Sequence, residues 1–206
     1  MVSDNPETFA DLNGHYELNN SGCGDNAKCQ KKWDKAEEKF EDRREKDLNS
    51  KKAEVRAAAA AYGARGEANG VHVGFADLSS QHIDGKVDPS GSVGSMQLIQ
   101  VTLDFGRAGS AETQTHEGTH VGDDQKFLDS YNPLTGRFAQ SLSLTHEQQE
   151  FNAFKAGAEI NHEHGFGPSD TQKVTDFIRA NYPARILNQP VFDPHDFPTG
   201  APNDQQ

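Results

Sequence analysis

The chain has 206 residues, of which 33% are hydrophobic, and its formal net charge is −12 at pH 7. This length suits one domain with extensions, and the acidic charge argues against nucleic acid as a partner, because binding to phosphates needs a basic surface. The sequence lacks an apolar run of about 18 residues, so we expect no membrane span. It also lacks a charged and then apolar segment after Met1, so we expect no signal peptide of its own.

Residues 1–22 are polar and rich in residues that form turns. The run from Asn5 to His15, NPETFADLNGH, resembles the segment that closes the shell of Rhs (YD-repeat) polymorphic toxins, after which a variable toxin domain follows. Leu12 stands where that family usually has a proline. The resemblance implies that residues 1–22 are the remnant of a shell and that residues 23–188 are a toxin domain. A leader rich in Asn and Gly is the alternative.

Two cysteines, Cys23 and Cys29, stand six positions apart where a loop leads into a helix. Their spacing differs from the C-x-x-C pairs of zinc ribbons. A local disulfide and two free thiols are both compatible with the sequence, and we favour free thiols as the simpler expectation.

A long helix or a helical hairpin is expected over residues 25–62. Trp33, Ala36 and Phe40 recur at helical spacing and form a narrow apolar stripe, while the remaining positions carry charges of both signs. Gly63 follows at the position of a C-terminal cap. We therefore expect this region to pack through its stripe on the rest of the domain and to expose its charged face to solvent.

Two stretches alternate in the manner of half-buried strands, residues 71–76 and residues 99–105. Residues 79–92, between them, are rich in Ser, Gly, Asp and Pro and are expected to form a loop.

His116, Glu117 and His120 form an H-E-x-x-H motif. On a helix, which we expect from Ala111 to about Gly122, the two histidines share one face about a turn apart. There they can bind one tetrahedral Zn²⁺ at about 2.0–2.1 Å, and Glu117 can act as general base toward a water on the metal. The alternative is an exposed helical turn with two incidental histidines.

Asp124 lies four positions after His120, in a region that we expect to be a loop over residues 123–143. Its carboxylate could accept the second ring N–H of His120 and so fix the tautomer of that ligand. The alternative is a solvated loop carboxylate.

A second helix is expected to begin at Thr145, which forms a capping box with Gln148. Glu147 then lies in the first turn, where the helix dipole stabilises a carboxylate without any metal. Glu150 shares a face with Phe154, and a carboxylate on an apolar face needs a partner such as Zn²⁺. Glu150 is therefore the expected third ligand, and Glu147 is the alternative.

The H-E-x-x-H motif followed by a glutamate on a later helix resembles the gluzincin arrangement, especially the metallopeptidase domains at the ends of polymorphic toxins. The resemblance implies zinc held by His116, His120 and Glu150, with Glu117 as the catalytic base and residues 71–160 as the catalytic core. The implied fold is α+β and zincin-like, with a small mixed or antiparallel sheet, an active-site helix and a second ligand helix.

The same resemblance implies a zinc endopeptidase that serves as the toxin module of a secreted effector, delivered into a target cell. Its expected partners are a protein substrate in that cell, an immunity protein and the Rhs shell of the parent effector. In zincins the strand upstream of the motif commonly forms the cleft edge, so we expect this role for residues 99–105, with the substrate bound as an added strand. A zinc-binding module without catalysis and a helical interaction protein are the alternatives.

The group that stabilises the oxyanion is left open by the sequence. Tyr131, His146, His162 and His164 each carry a side chain that could donate a hydrogen bond to the scissile carbonyl oxygen.

Ser169 can cap a last helix, which is expected to end near Ala180. Residues 189–206 have a proline at every fourth position and are expected to be an extended tail, which Phe192 and Phe197 could hold against the domain.

Overall fold

One five-stranded sheet and six helices make up the part of the chain that the structure describes, which confirms the α+β class. The computed structural model describes residues 15–18, 23–66, 69–90, 98–132, 134–161 and 167–192. The strands are β1 (His15–Leu18), β2 (Ala64–Arg65), β3 (Val71–Ala76), β4 (Gly85–Ser90) and β5 (Leu98–Asp104). The helices are α1 (Ala27–Leu48), α2 (Ala53–Ala61), α3 (Ala111–Leu128), α4 (His146–Asn161), α5 (Pro168–Asn181) and α6 (Ala184–Leu187).

The sheet is mixed and has the strand order β2-β1-β3-β5-β4. β1 runs parallel to β2 and to β3, and β3 runs parallel to β5. β4 runs antiparallel to β5, with Gly85 opposite Leu103 and Pro89 opposite Ile99. The two strands expected from alternation, at residues 71–76 and 99–105, are confirmed as β3 and β5.

β4 corrects two expectations from the sequence. The region 79–92 was expected to be a loop because Gly, Asp, Pro and Ser are rare in strands. Pairing with β5 on one side offsets that low propensity, and an outer strand tolerates Pro89 because its missing N–H is not needed there. β5 therefore lies inside the sheet, and the edge beside the motif helix is β4, not residues 99–105.

The apolar stripe of α1 packs on the sheet and on α2, as expected. Trp33, Ala36 and Phe40 are buried. The ring of Trp33 meets that of Phe75 edge to face at 5.3 Å, and the ring of Phe40 meets that of Tyr62 at 5.0 Å. Aromatic pairs in this geometry add about 0.5–1.5 kcal/mol beyond the burial of their area. The expected helical region is thus a pair of helices, α1 and α2, that covers one face of the sheet.

Cys23 and Cys29 form a disulfide, so the expectation of free thiols is wrong. Asn26 caps α1, and its backbone N–H donates to the carbonyl of Cys23 in a tight turn. This turn brings the two Cα atoms to 5.4 Å, within the range that a disulfide spans.

β1, at residues 15–18, lies within the segment 1–22 that the sequence separates from the toxin domain. β1 is an integral strand of the sheet, and Tyr16 is fully buried with its ring 5.8 Å from that of Phe40. The strand residues 15–18 thus belong to the folded domain, while the remainder of the shell-like segment, Asn5 to Gly14, lies outside the described residues.

α3 is longer than expected and ends at Leu128, not near Gly122. The sequence Gly-Asp-Asp suggested an exposed helix end. Both carboxylates are instead buried: Asp123 accepts a hydrogen bond from Asn152 at 2.8 Å, and Asp124 accepts one from Gln149 at 2.6 Å. Amides supplied by α4 therefore allow the helix to continue past two acidic residues.

Gly118, inside the motif, allows α2 and α3 to touch backbone to backbone. A Cβ added at Gly118 would lie 2.8 Å from Tyr62 Cε2 and 2.9 Å from the carbonyl carbon of Ala58. A Cβ added at Gly122, one turn later, would meet Ala61 Cβ at an ordinary 3.4 Å. The close contact is therefore specific to the first glycine.

We expect Gly118→Ala to lower the free energy of unfolding by about 1–3 kcal/mol, because the backbone of α2 must move to make room. Gly122→Ala is the matched control, and it should be neutral or stabilise by up to about 1 kcal/mol through helix propensity. Urea denaturation of both variants makes the comparison. Equal stability of the two variants would contradict the close packing at Gly118.

α4 begins as expected. The N–H of Thr145 donates to Gln148 Oε1 at 2.9 Å and the N–H of Gln148 donates to Thr145 Oγ1 at 3.3 Å, which confirms the capping box. α5 begins two residues earlier than Ser169 would place it, with Gly167 as its N-terminal cap. None of the described helices has both the length and the apolar character needed to cross a membrane.

Phe192 holds the start of the tail against the domain, as expected. It is buried and stacks on Phe127 with 4.7 Å between ring centroids. The rest of the tail, with Phe197, lies outside the described residues.

Candidate metal centre

Three side chains from two helices converge on one point, His116 and His120 of α3 and Glu150 of α4. The Nε2 atoms of the histidines are 3.2 Å apart. Glu150 Oε2 lies 3.6 Å from His116 Nε2, and Glu150 Oε1 lies 3.8 Å from His120 Nε2. In a tetrahedral zinc site, two ligand atoms at about 2.1 Å from the metal are about 3.4 Å apart. The group could therefore hold a metal ion with little rearrangement.

The register between α3 and α4 is fixed on both sides of Glu150. The side-chain amide of Gln149 donates to Asp124 and that of Asn152 donates to Asp123, so both contacts join an amide of α4 to a carboxylate of α3. Buried hydrogen bonds to charged groups contribute about 1.5–3 kcal/mol each. The two pairs thereby place the Glu150 carboxyl over the turn of α3 that carries the histidines.

Both histidines are neutral at neutral pH. Burial, and then the neighbouring His120, lower the pKa of His116 to about 3. Burial also lowers the pKa of His120 to about 4, against the opposing effects of Asp123 and of a hydrogen bond with Gln149. A neutral imidazole offers a lone pair, which is what a metal requires. The contacts of the histidines with Glu150 are accordingly not ion pairs in the metal-free protein.

The pKa values of the two glutamates of the site, Glu117 and Glu150, are both raised, mainly by burial. Burial raises the pKa of Glu150 to about 7, although the hydrogen bond from Tyr182 lowers it. Burial, followed by the charges of Glu150, Asp84 and Asp88, raises the pKa of Glu117 to about 8. A divalent cation would lower both pKa values, because it stabilises nearby carboxylates in their ionised form.

Glu117 lies beside the three candidate ligands and against the edge strand. The next residue along a helix is turned by about 100°, so Glu117 points to one side of the direction shared by His116 and His120. It is 6% exposed, and a Cβ added at Gly85 of β4 would lie 2.7 Å from its Oε1 atom. The absence of a side chain at Gly85 therefore makes room for the Glu117 carboxyl and brings β4 next to it.

Aromatic side chains line the other side of the site. The ring of Phe154, one turn after Glu150 on α4, lies 4.6 Å from that of His116. Phe177 of α5 meets Phe154 edge to face at 5.2 Å and is half exposed, at 51%. β4 thus lies against Glu117, and α5 lies against Phe154.

Tyr182, directly after α5, is a site residue that the sequence analysis missed. Its hydroxyl donates to Glu150 Oε2 at 3.1 Å. One signal could have indicated it: Tyr182 follows the fully buried Ile178 by four positions, so the two share the inward face of this helix.

Glu147, the alternative third ligand, is placed elsewhere. It accepts a hydrogen bond from Arg179 Nε at 2.6 Å at the start of α4. Among the described residues, the cluster that could hold a metal contains Glu150 and not Glu147.

Asp124 reaches the cluster through an intermediary. It is 1% exposed, so it is not a solvated loop carboxylate. Its carboxylate accepts from Gln149, and the Gln149 side chain in turn is hydrogen-bonded with His120. The expected direct bond from the histidine to Asp124 is therefore replaced by an amide relay in which Gln149 orients the ring.

Tyr131 is not brought to the site. It follows the end of α3, which is about 18 Å along the helix axis from His116, and its ring packs on Phe138 at 5.1 Å. His146 is the first residue of α4, and its partial burial lowers its pKa. A positive charge on His146 would lower the pKa of His120. His162 and His164 lie outside the described residues.

Comparison of the chain with protein-family models, with curated proteins and with solved structures finds no match in any of the three. The chemical interpretation of the cluster depends on its donor atoms and their geometry.

Proposed function

We propose that the protein is a zinc-dependent endopeptidase in which His116, His120 and Glu150 bind the metal and Glu117 is the general base. The observation that carries the proposal is the cluster of two neutral imidazoles and one carboxylate, with a fourth, buried carboxyl beside it. Two nitrogens and one oxygen suit zinc, and three protein ligands leave a coordination position for water, as in catalytic zinc sites.

Bound zinc would supply Lewis-acid activation of a water and of the peptide carbonyl. Glu117 accepts the proton that this water gives up as its oxygen adds to the carbonyl carbon. Glu117 then passes the proton to the amide nitrogen as the C–N bond breaks, which yields a carboxylic acid and an amine. The buried position of Glu117 keeps this proton transfer away from bulk water.

The edge strand β4 gives an extended peptide a place to bind. Its outer side has no neighbouring strand among the described residues, and its first residue, Gly85, contacts the Glu117 carboxyl. A peptide added to this edge through its backbone would pass beside the donor cluster. This mode of binding favours an unfolded segment or an exposed loop of a protein as substrate.

The biological setting remains a proposal that rests on sequence resemblance. The motif and the segment from Asn5 to His15 suggest the toxin module of a secreted Rhs-type effector. A protein substrate in a target cell, an immunity protein and the parent shell would then be its partners.

The proposal is tested by removing metal and returning zinc. Metal-free protein should leave a library of unstructured peptides intact, and protein resupplied with Zn²⁺ should create new peptide termini. Zinc bound without cleavage would instead favour a non-catalytic zinc module. No zinc bound at all would favour an interaction protein.

A further inference from the structure

Tyr182 makes a specific contact with one oxygen of the proposed ligand Glu150. Its hydroxyl donates to Oε2 at 3.1 Å. Oε2 also lies 3.6 Å from His116 Nε2, and Oε1 lies 3.8 Å from His120 Nε2. A carboxylate can bind a metal through one oxygen or through two, and a donor on one oxygen favours the first mode.

The position of this hydroxyl is fixed by several contacts around it. The backbone N–H of Tyr182 donates to the carbonyl of Ile178, a fully buried residue, and Pro183 follows directly. One turn earlier on α5, Arg179 pairs with Glu147 at the start of α4. Two polar contacts therefore join this segment to α4, Arg179 with Glu147 and Tyr182 with Glu150.

We propose that Tyr182 is a positioning residue that holds the Glu150 carboxylate in an orientation that binds metal through one oxygen. The inference rests on the metal site of the proposed function. With Oε2 occupied by the hydroxyl, the carboxylate contributes one ligand atom, and the fourth coordination position stays open for water. Without the hydroxyl, the carboxylate is free to rotate and to bind through both oxygens.

The test is Tyr182→Phe, which removes the hydroxyl and keeps the ring. Zinc affinity, measured by competition with a chromogenic chelator, should fall by about 10–100-fold, as is typical when a partner of a metal ligand is lost. Tyr131→Phe is the matched control, because it makes the same chemical change beyond the end of α3, which is about 18 Å along the helix axis from His116, and it should leave the affinity unchanged. Thermal unfolding of both metal-free variants shows that the domain is intact.

Cobalt in place of zinc gives a second readout that a purely structural role would not alter. Its visible absorption weakens when the coordination number rises, so the Tyr182→Phe protein should absorb more weakly than wild type if Glu150 then binds through both oxygens. An unchanged cobalt spectrum together with a zinc affinity within about twofold of wild type would overturn the inference, even if activity fell.

The failure of this inference can be told from the failure of the proposed function. If Glu150→Ala loses zinc and Tyr182→Phe does not, only the positioning role is overturned. If the wild-type protein itself binds no zinc, the metal site is wrong and the inference falls with it.

Discussion

Glu117→Gln is expected to lower the rate of peptide hydrolysis by about 10²–10⁴-fold while the zinc content stays at the wild-type level. The amide has nearly the shape of the carboxyl, so it fits the space beside Gly85, but it cannot accept a proton from water. Because Glu117 lies outside the donor cluster formed by His116, His120 and Glu150, metal binding does not depend on it. Elemental analysis and the peptide assay on the same preparation measure both quantities.

Glu112→Gln is the matched control for this experiment. Glu112 lies in the first turn of the same helix and is exposed, so the variant should keep both zinc and activity. A Glu117→Gln protein that loses zinc would show that Glu117 is a ligand. One that still cleaves peptides at the wild-type rate would show that another group takes the proton.

Glu150→Ala is expected to weaken zinc binding by more than about 100-fold, since removing a ligand costs more than removing one of its partners. The loss follows from the geometry, because the Glu150 oxygens lie 3.6 and 3.8 Å from the two histidine nitrogens. Competition with a chromogenic chelator gives the affinity. The metal-free variant should fold, because the contacts of Gln149 and Asn152 with α3 remain.

Glu147→Ala is the comparison that makes this result specific. It removes an exposed pair with Arg179 and a carboxylate at a helix start, which together contribute about 0.3–1 kcal/mol to stability. Its zinc affinity should equal that of wild type. Release of zinc by Glu147→Ala, with Glu150→Ala unaffected, would reverse the assignment of the third ligand.

The parts of the site that the sequence could predict are those set by helical spacing. His116 and His120 share a face because they are four positions apart, whatever surrounds them. Glu150 could be singled out because the capping box at Thr145 fixed where α4 begins, and a carboxylate then fell on an apolar face. These are local rules, and the structure places all three side chains together.

The parts that the sequence could not predict depend on contacts between distant segments. Tyr182 reaches the site only because α5 folds back on α4. A loop is predicted at Asp123 and Asp124 because nothing in the nearby sequence shows that amides 25 or more positions later donate hydrogen bonds to these carboxylates. A loop is predicted at β4 for the same reason, since a segment with Gly and Pro forms a strand here only through its pairing with β5.

The most direct test of a zinc-dependent peptidase is the rate of peptide cleavage as a function of the zinc added per chain. Metal-free protein is titrated with Zn²⁺, and the new termini in a library of unstructured peptides are counted by mass spectrometry at each step. Three protein ligands around one point predict that cleavage is absent at the start, rises with added zinc and levels off at about one ion per chain. Cleavage that is already complete without metal, or that never appears when the site is filled, would contradict the assignment of this centre as catalytic.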